Sequence, residues 1–148
     1  MCNKYIYVVA MLIFFGSCKK GDKKEYTPEP VIEFLSISPA SLTEGQEKVI
    51  ISIKYTDGDG DLGENSADVK NMFVTDNRLG ITYTFRIKEL APAGTSIPIT
   101  GTLNTDIGTV FISNNSAQQT ANFSLYIVDR AGHISNTITS SPITINAQ

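Results

Sequence analysis

The sequence predicts an all-β domain, a two-layered sandwich of about seven short strands spanning residues 31–148. Two observations carry that prediction. From Val31 onward, apolar and polar residues alternate with period two in several short runs, which puts one face of each strand in a core. Gly, Asn, Asp and Pro break these runs at short intervals, and no stretch has the spacing of an amphipathic helix.

Along the chain, the first run is Ile32 to Ile37, followed by Pro39. It reads as an edge strand ending at proline, which cannot donate to a ladder. Val49, Ile51, Ile53 and Tyr55 then alternate with Ile50, Ser52, Lys54 and Thr56. Met72–Thr75 and Ile81–Ile87 flank Asn77-Arg78-Leu79-Gly80, a hairpin turn in which Gly80 can take positive φ. Within the second arm, Tyr83, Phe85 and Ile87 alternate with Thr82, Thr84 and Arg86. Residues 97–112 supply two short strands around Asn104-Thr105-Asp106. Ala121–Ile127 forms another, with Phe123, Leu125 and Ile127 on one face. Ile138 and Ile143 to Ile145 flank Ser140-Ser141-Pro142, as in one last strand with a bulge or kink.

About seven such runs in roughly 115 residues match the count and spacing of an immunoglobulin-like β-sandwich. The chain has no Trp and no cysteine pair within the domain, which excludes an antibody-type core. A jelly roll or a small barrel stays open.

The N-terminus has a different character. Lys4 lies in a short basic start, an apolar run extends from Ile6 to Phe15, and Gly16-Ser17 precede Cys18. This is the layout of a secretory signal; the run is well short of the ~20 apolar residues a membrane-spanning helix needs. Gly16-Ser17-Cys18 resembles the lipobox of bacterial lipoproteins, with Phe15 where Leu is usual. The resemblance implies a signal peptide of residues 1–17, cleavage before Cys18, and lipid attachment at Cys18. It places the protein in the cell envelope, lipid-anchored, at the outer membrane; Lys19 after the cysteine fits that sorting. An ordinary signal peptide with a chance cysteine is the alternative. Residues 18–30 form the acylated cysteine and a tether: Lys19 to Pro30 is charged, lacks aliphatic residues and contains two prolines. Such a segment buries too little surface to fold. Lys19, Lys20, Lys23 and Lys24 would sit at the head groups of the membrane, the first expected partner.

Cleavage would leave 131 residues, enough for one domain with its own core. Of the two cysteines, Cys2 goes with the signal and Cys18 carries lipid. The domain therefore has no thiol for a disulfide, a zinc site or a nucleophile. The formal charge of −3 gives no basic face for nucleic acid.

The sharpest chemical feature is Asp57-Gly58-Asp59-Gly60-Asp61-Leu62-Gly63. Alternating aspartates gather three carboxylates, and the glycines let the backbone curl around a point. Hard oxygen ligands on such a loop suit Ca²⁺, whereas Mg²⁺ demands stricter octahedral geometry. An EF-hand is rejected: Leu62 stands where that loop needs glycine, Asp68 replaces its bidentate Glu, and flanking helices are missing from the pattern. A solvated turn is the alternative. If Val49–Tyr55 and Ala121–Ile127 are the second and sixth strands of the sandwich, the loops after them emerge at one end. Asp129 then completes an oxygen shell with Asp57, Asp59 and Asp61, and Asn136 is a weaker candidate. Alternatively, Asp129 caps a turn or pairs with Arg130 or Arg78.

The segments YTDGDGDLG, YIVDRAGHISN and TITSSPITI resemble small immunoglobulin-like lipoproteins common in Bacteroidota. The match spans most of residues 31–145, with His133 where related motifs carry Asn. It implies a fold and an outer-membrane location, and no chemistry. The sequence offers no G-x-S-x-G or H-E-x-x-H motif. His133 is the sole histidine, and its neighbours Asp129 and Ser135 are near it only in sequence. The expectation is a non-catalytic binding or accessory module with a structural calcium ion and an unknown protein or glycan ligand. The alternative is a calcium-dependent carbohydrate-binding module of a polysaccharide-uptake system, using Tyr83, Tyr126 or Phe111 as its aromatic surface.

Overall fold

The computed structural model describes residues 26–148; the signal segment, Cys18 and the first part of the tether lie outside the described residues. Ten strands follow in order: β1 (Val31–Ser38), β2 (Ser41–Thr43), β3 (Lys48–Asp57), β4 (Met72–Asp76), β5 (Ile81–Phe85), β6 (Ile99–Thr109), β7 (Gln118–Ala121), β8 (Phe123–Ile127), β9 (Ile138–Thr139) and β10 (Ile143–Asn146). They form three sheets with strand orders β1-β3-β6, β5-β4-β8-β9 and β2-β10-β7. All pairings are antiparallel except β2 with β10.

Period-two alternation directs the packing. Val49, Ile51, Ile53 and Tyr55 of β3 turn inward and are buried. Val74 of β4 and Phe123, Leu125 and Ile127 of β8 face them from the second sheet, with Leu42, Ile143 and Ile145 joining from the third. The result is one hydrophobic core between sheets, the arrangement of a β-sandwich. Each fully buried aliphatic or aromatic side chain contributes about 2 kcal/mol of transfer free energy.

Two runs divide between sheets where the sequence suggests continuous strands. Ala121–Ile127 breaks at Asn122, so that β7 pairs with β10 and β8 with β4 and β9. The final segment is likewise two strands, with β9 beside β8 and β10 beside β7 and β2. Ser140 explains the corner. Its N–H donates to the Phe123 carbonyl (2.8 Å), while its Oγ accepts from Phe123 N and donates to the Ser141 carbonyl. Pro142, which has no N–H, then separates the two strands. Conversely, the two short strands expected in 97–112 are one strand. Asn104, Thr105 and Asp106 pair with Ser52, Ile51 and Ile50; the side chains of Asn104 and Asp106 meet cross-strand partners, and the Thr105 hydroxyl donates to Met72 Sδ of the facing sheet. Ser52 Oγ donates to Asn104 Oδ1 and Lys48 Nζ lies 2.7 Å from Asp106. The Asn77–Gly80 turn joins β4 and β5 as its sequence suggests, with Gly80 at φ 67°.

Candidate metal centre

Alternation along β3 carries Asp57 onto the same inward face as Ile53 and Tyr55, so its side chain is fully buried at the sheet's end. The chain then turns through Gly58–Gly63. The Leu62 N–H donates to Asp57 Oδ2 at 2.7 Å, and the Leu62 side chain fills the core. Close approaches explain two of the glycines. A Cβ on Gly58 would stand 2.0 Å from the Thr27 carbonyl oxygen, and one on Gly60 would stand 2.2 Å from that of Ile97.

β8 delivers Asp129 to the same end of the sandwich. Residues 129–133 close a turn in which Asp129 Oδ1 accepts from the His133 N–H at 2.8 Å. His133 Nδ1 lies 2.8 Å from Asp129 Oδ2. The two loops are stitched together: Ala131 N–H donates to Asp61 Oδ2 (3.0 Å), and Arg130 Nη1 donates to the Gly63 carbonyl (2.8 Å). Arg130 also pairs with Glu89 at 3.7 Å.

One carboxylate oxygen from each of Asp57, Asp59, Asp61 and Asp129 lies within 4.8 Å of all the others. The Oδ1 atoms of Asp57, Asp59 and Asp61 are buried and accept no hydrogen bond. Unit charges at this spacing repel by at least about 3 kcal/mol per pair at an effective dielectric constant near 20. Burial, followed by the charges of Asp59, Asp61 and Asp129, pushes the Asp57 pKa up to about 6 against the lowering influence of the Leu62 N–H. Asp61 is raised as well, by burial first and then by Asp129 and Asp59. The His133 imidazole is raised chiefly by its hydrogen bond to Asp129. A divalent cation would resolve the repulsion and supply the partner that the buried oxygens lack. Four oxygens this close fit on a Ca²⁺ shell, where bonds of about 2.3–2.6 Å place opposite ligands roughly 4.6–5.2 Å apart. The cluster can therefore hold a metal ion.

All four metal-ligand candidates from the sequence are thus brought together. Asp129 also caps its own turn, while Arg78 is engaged elsewhere. Asn136 is not part of the cluster: its amide accepts from Ile32 N (2.8 Å) and donates to Ile32 O (2.9 Å), fastening β1. Ser135 Oγ accepts from Ile127 N and donates to the Asn136 carbonyl, and among the described residues no hydrogen bond joins it to His133. Sequence reasoning missed the contributions of Thr27 and Ile97, since no local pattern says which distant main chain a glycine will meet. Of residues 26–30, read from the sequence as the end of the tether, the main chain of Tyr26 and Thr27 lies against Gly58 of this loop, and Pro30 is buried.

The aromatic candidates separate. Tyr126 is half-buried and stacked on Phe73, ring centroids 4.8 Å apart. Tyr83 and Phe111 line one groove of about 220 Å³ together with Asp76, Arg78 and Ser113. In β4, Met72 pairs with Ile127, close to Asp129, and Asp76 pairs with Phe123. The groove is therefore at the other end of the strand from the carboxylates.

No protein-family model and no curated protein matches the chain. Among solved structures it is similar to a Niemann-Pick type C2 protein from Japanese carpenter ant, at 12% identity and a TM-score of 0.38. That likeness covers 84% of this chain and 98% of the other, and at this level it carries no functional information.

Proposed function

We propose that this protein is a lipid-anchored, non-catalytic binding or accessory module of the bacterial outer membrane, built on an immunoglobulin-like sandwich with a structural calcium ion. The observation that carries the calcium reading is the set of three buried carboxylate oxygens without hydrogen-bond partners, inside a four-aspartate cluster. Calcium would tie the loop after β3 to the loop after β8, at the end where the chain enters the domain. Support for the anchor comes from the Gly16-Ser17-Cys18 pattern and the apolar run before it. The non-catalytic reading draws support from Ser135, whose hydroxyl is committed to main-chain groups.

Calorimetric titration with Ca²⁺ after exhaustive chelation tests the metal assignment, and the account predicts one ion per chain. Metabolic labelling with a fatty-acid analogue tests the anchor: label should be lost in Cys18→Ser.

A second reading, glycan binding, rests on the groove that Tyr83 and Phe111 share. Exposed aromatic faces suit sugar rings. A glycan array read against Tyr83→Ala tests it.

A further inference from the structure

The main chain of Tyr26 and Thr27 lies directly on Gly58, between two carboxylates of the candidate metal centre. The contact is close enough that a Cβ at position 58 would stand 2.0 Å from the Thr27 oxygen and 2.7 Å from its carbonyl carbon. Pro28 and Pro30 offer no N–H to a ladder, and Thr27 Oγ1 donates within the segment, to the Glu29 carbonyl. Regular pairing begins only at Val31, opposite Thr56, followed by Ile32, whose main chain is held by Asn136. The main chain of Tyr26 and Thr27 thus follows the shape of the Asp57–Gly63 loop on which it packs. That shape depends in turn on whether four clustered carboxylates attract a common ion or repel one another.

We propose that calcium at Asp57, Asp59, Asp61 and Asp129 clamps residues 26–30 against the domain, so that calcium sets where the N-terminal tether ends. The inference rests on the calcium reading above and adds a regulatory consequence to it. With the ion bound, Gly58 is held in place and the Thr27 carbonyl packs on it. Without the ion, charge repulsion spreads the loop and the surface under Thr27 is lost. Release of 26–30 adds five residues, about 17 Å of extended chain, to the tether that the sequence predicts. A domain held at a membrane would then gain reach, and expose its loop end, when calcium is withdrawn.

Chymotrypsin cleavage after Tyr26 reports the release, because a protease needs several residues of free chain on both sides of the bond. The experiment uses the full-length chain in detergent micelles, in EDTA and in 10 mM Ca²⁺, with calcium binding measured by calorimetry on the same samples. Fragments are identified by mass. The expected result is that the cut after Tyr26 is at least tenfold slower in calcium, leaving residues 27–148 intact in EDTA. Gly58→Ala keeps all four carboxylates but drives a methyl into the Thr27 carbonyl. It should bind calcium and be cut at one fast rate in both conditions, which also controls for any response of the protease to calcium. Calcium binding with equal cleavage rates in the unsubstituted chain overturns the clamp and leaves the metal site standing. Absence of calcium binding overturns both. Cuts throughout the domain in EDTA, rather than one after Tyr26, likewise overturn the clamp, since they report global unfolding.

Discussion

Asp129 and His133 hold each other at two points: the His133 N–H donates to Oδ1, and the imidazole Nδ1 lies 2.8 Å from Oδ2. The backbone bond shapes the turn, and the ring contact orients the carboxylate toward the other three aspartates. His133 is therefore a positioning residue for a candidate metal ligand, and partners that hold a ligand in this way commonly support affinity by a factor of about 10–100. His133→Ala leaves the backbone bond intact. It should weaken calcium binding by about tenfold while stoichiometry stays at one ion, as read by calorimetry. Unchanged affinity would mean that the turn alone positions Asp129.

The metal-free protein has a predictable dependence on pH. Asp57, raised to about 6 in the folded chain from an ordinary value of 3.8, holds its proton more tightly folded than unfolded. Its contribution to stability is therefore fully present below pH 3.8 and is lost as pH rises through 6. Asp61 shifts in the same direction. In EDTA, the stability of the unsubstituted chain relative to Asp57→Asn should be greater at pH 4.5 than at pH 7, measured by urea unfolding. A difference that does not change with pH would contradict the assignment. Saturating calcium should reverse the trend, because the ion binds the ionised carboxylates.

How far the sequence reveals this site follows from which interactions are local. The Asp-Gly alternation makes three carboxylates neighbours within five residues, and a strand reading of residues 121–127 carries Asp129 to the same end. These inferences needed only strand direction and loop position. The corner at Ser140 was hidden, because a hydroxyl that pairs with Phe123 N and a run of turn residues look alike in sequence. The single strand β6 was hidden too: Asn104 to Asp106 resemble a turn until Ser52 and Lys48 supply partners for Asn104 and Asp106 across the ladder. Contacts between distant main chains, such as Thr27 on Gly58, leave only a glycine as their trace.

Away from the candidate metal centre, the most buried Arg–Asp pair among the described residues joins Asp76 and Arg78. Asp76 is 1% exposed and accepts from Arg78 N, Nε and Nη2, at 2.9, 3.0 and 2.6 Å. Arg78 Nη1 reaches on to the Phe111 carbonyl and to Gln119 Oε1. Removing one partner of a buried pair strands the other charge, at a cost of about 3–5 kcal/mol. Arg78→Leu should lower the unfolding free energy by about that amount in urea titration, with or without calcium. A loss below about 1 kcal/mol would show that the carboxylate finds other compensation.

The central claim, that the aspartate cluster is a calcium site, is tested most directly by thermal unfolding in EDTA and in 10 mM Ca²⁺. A site with a Kd near 0.1 mM adds about 2.7 kcal/mol at that concentration, which raises the Tm by on the order of 10 °C in a domain of this size. The account predicts such a rise with Ca²⁺ and little with Mg²⁺. The combined substitution of Asp59→Asn and Asp61→Asn should abolish it while leaving the EDTA melting point unchanged or higher, since it removes repelling charges. An equal Tm in EDTA and calcium for the unsubstituted chain would contradict the claim.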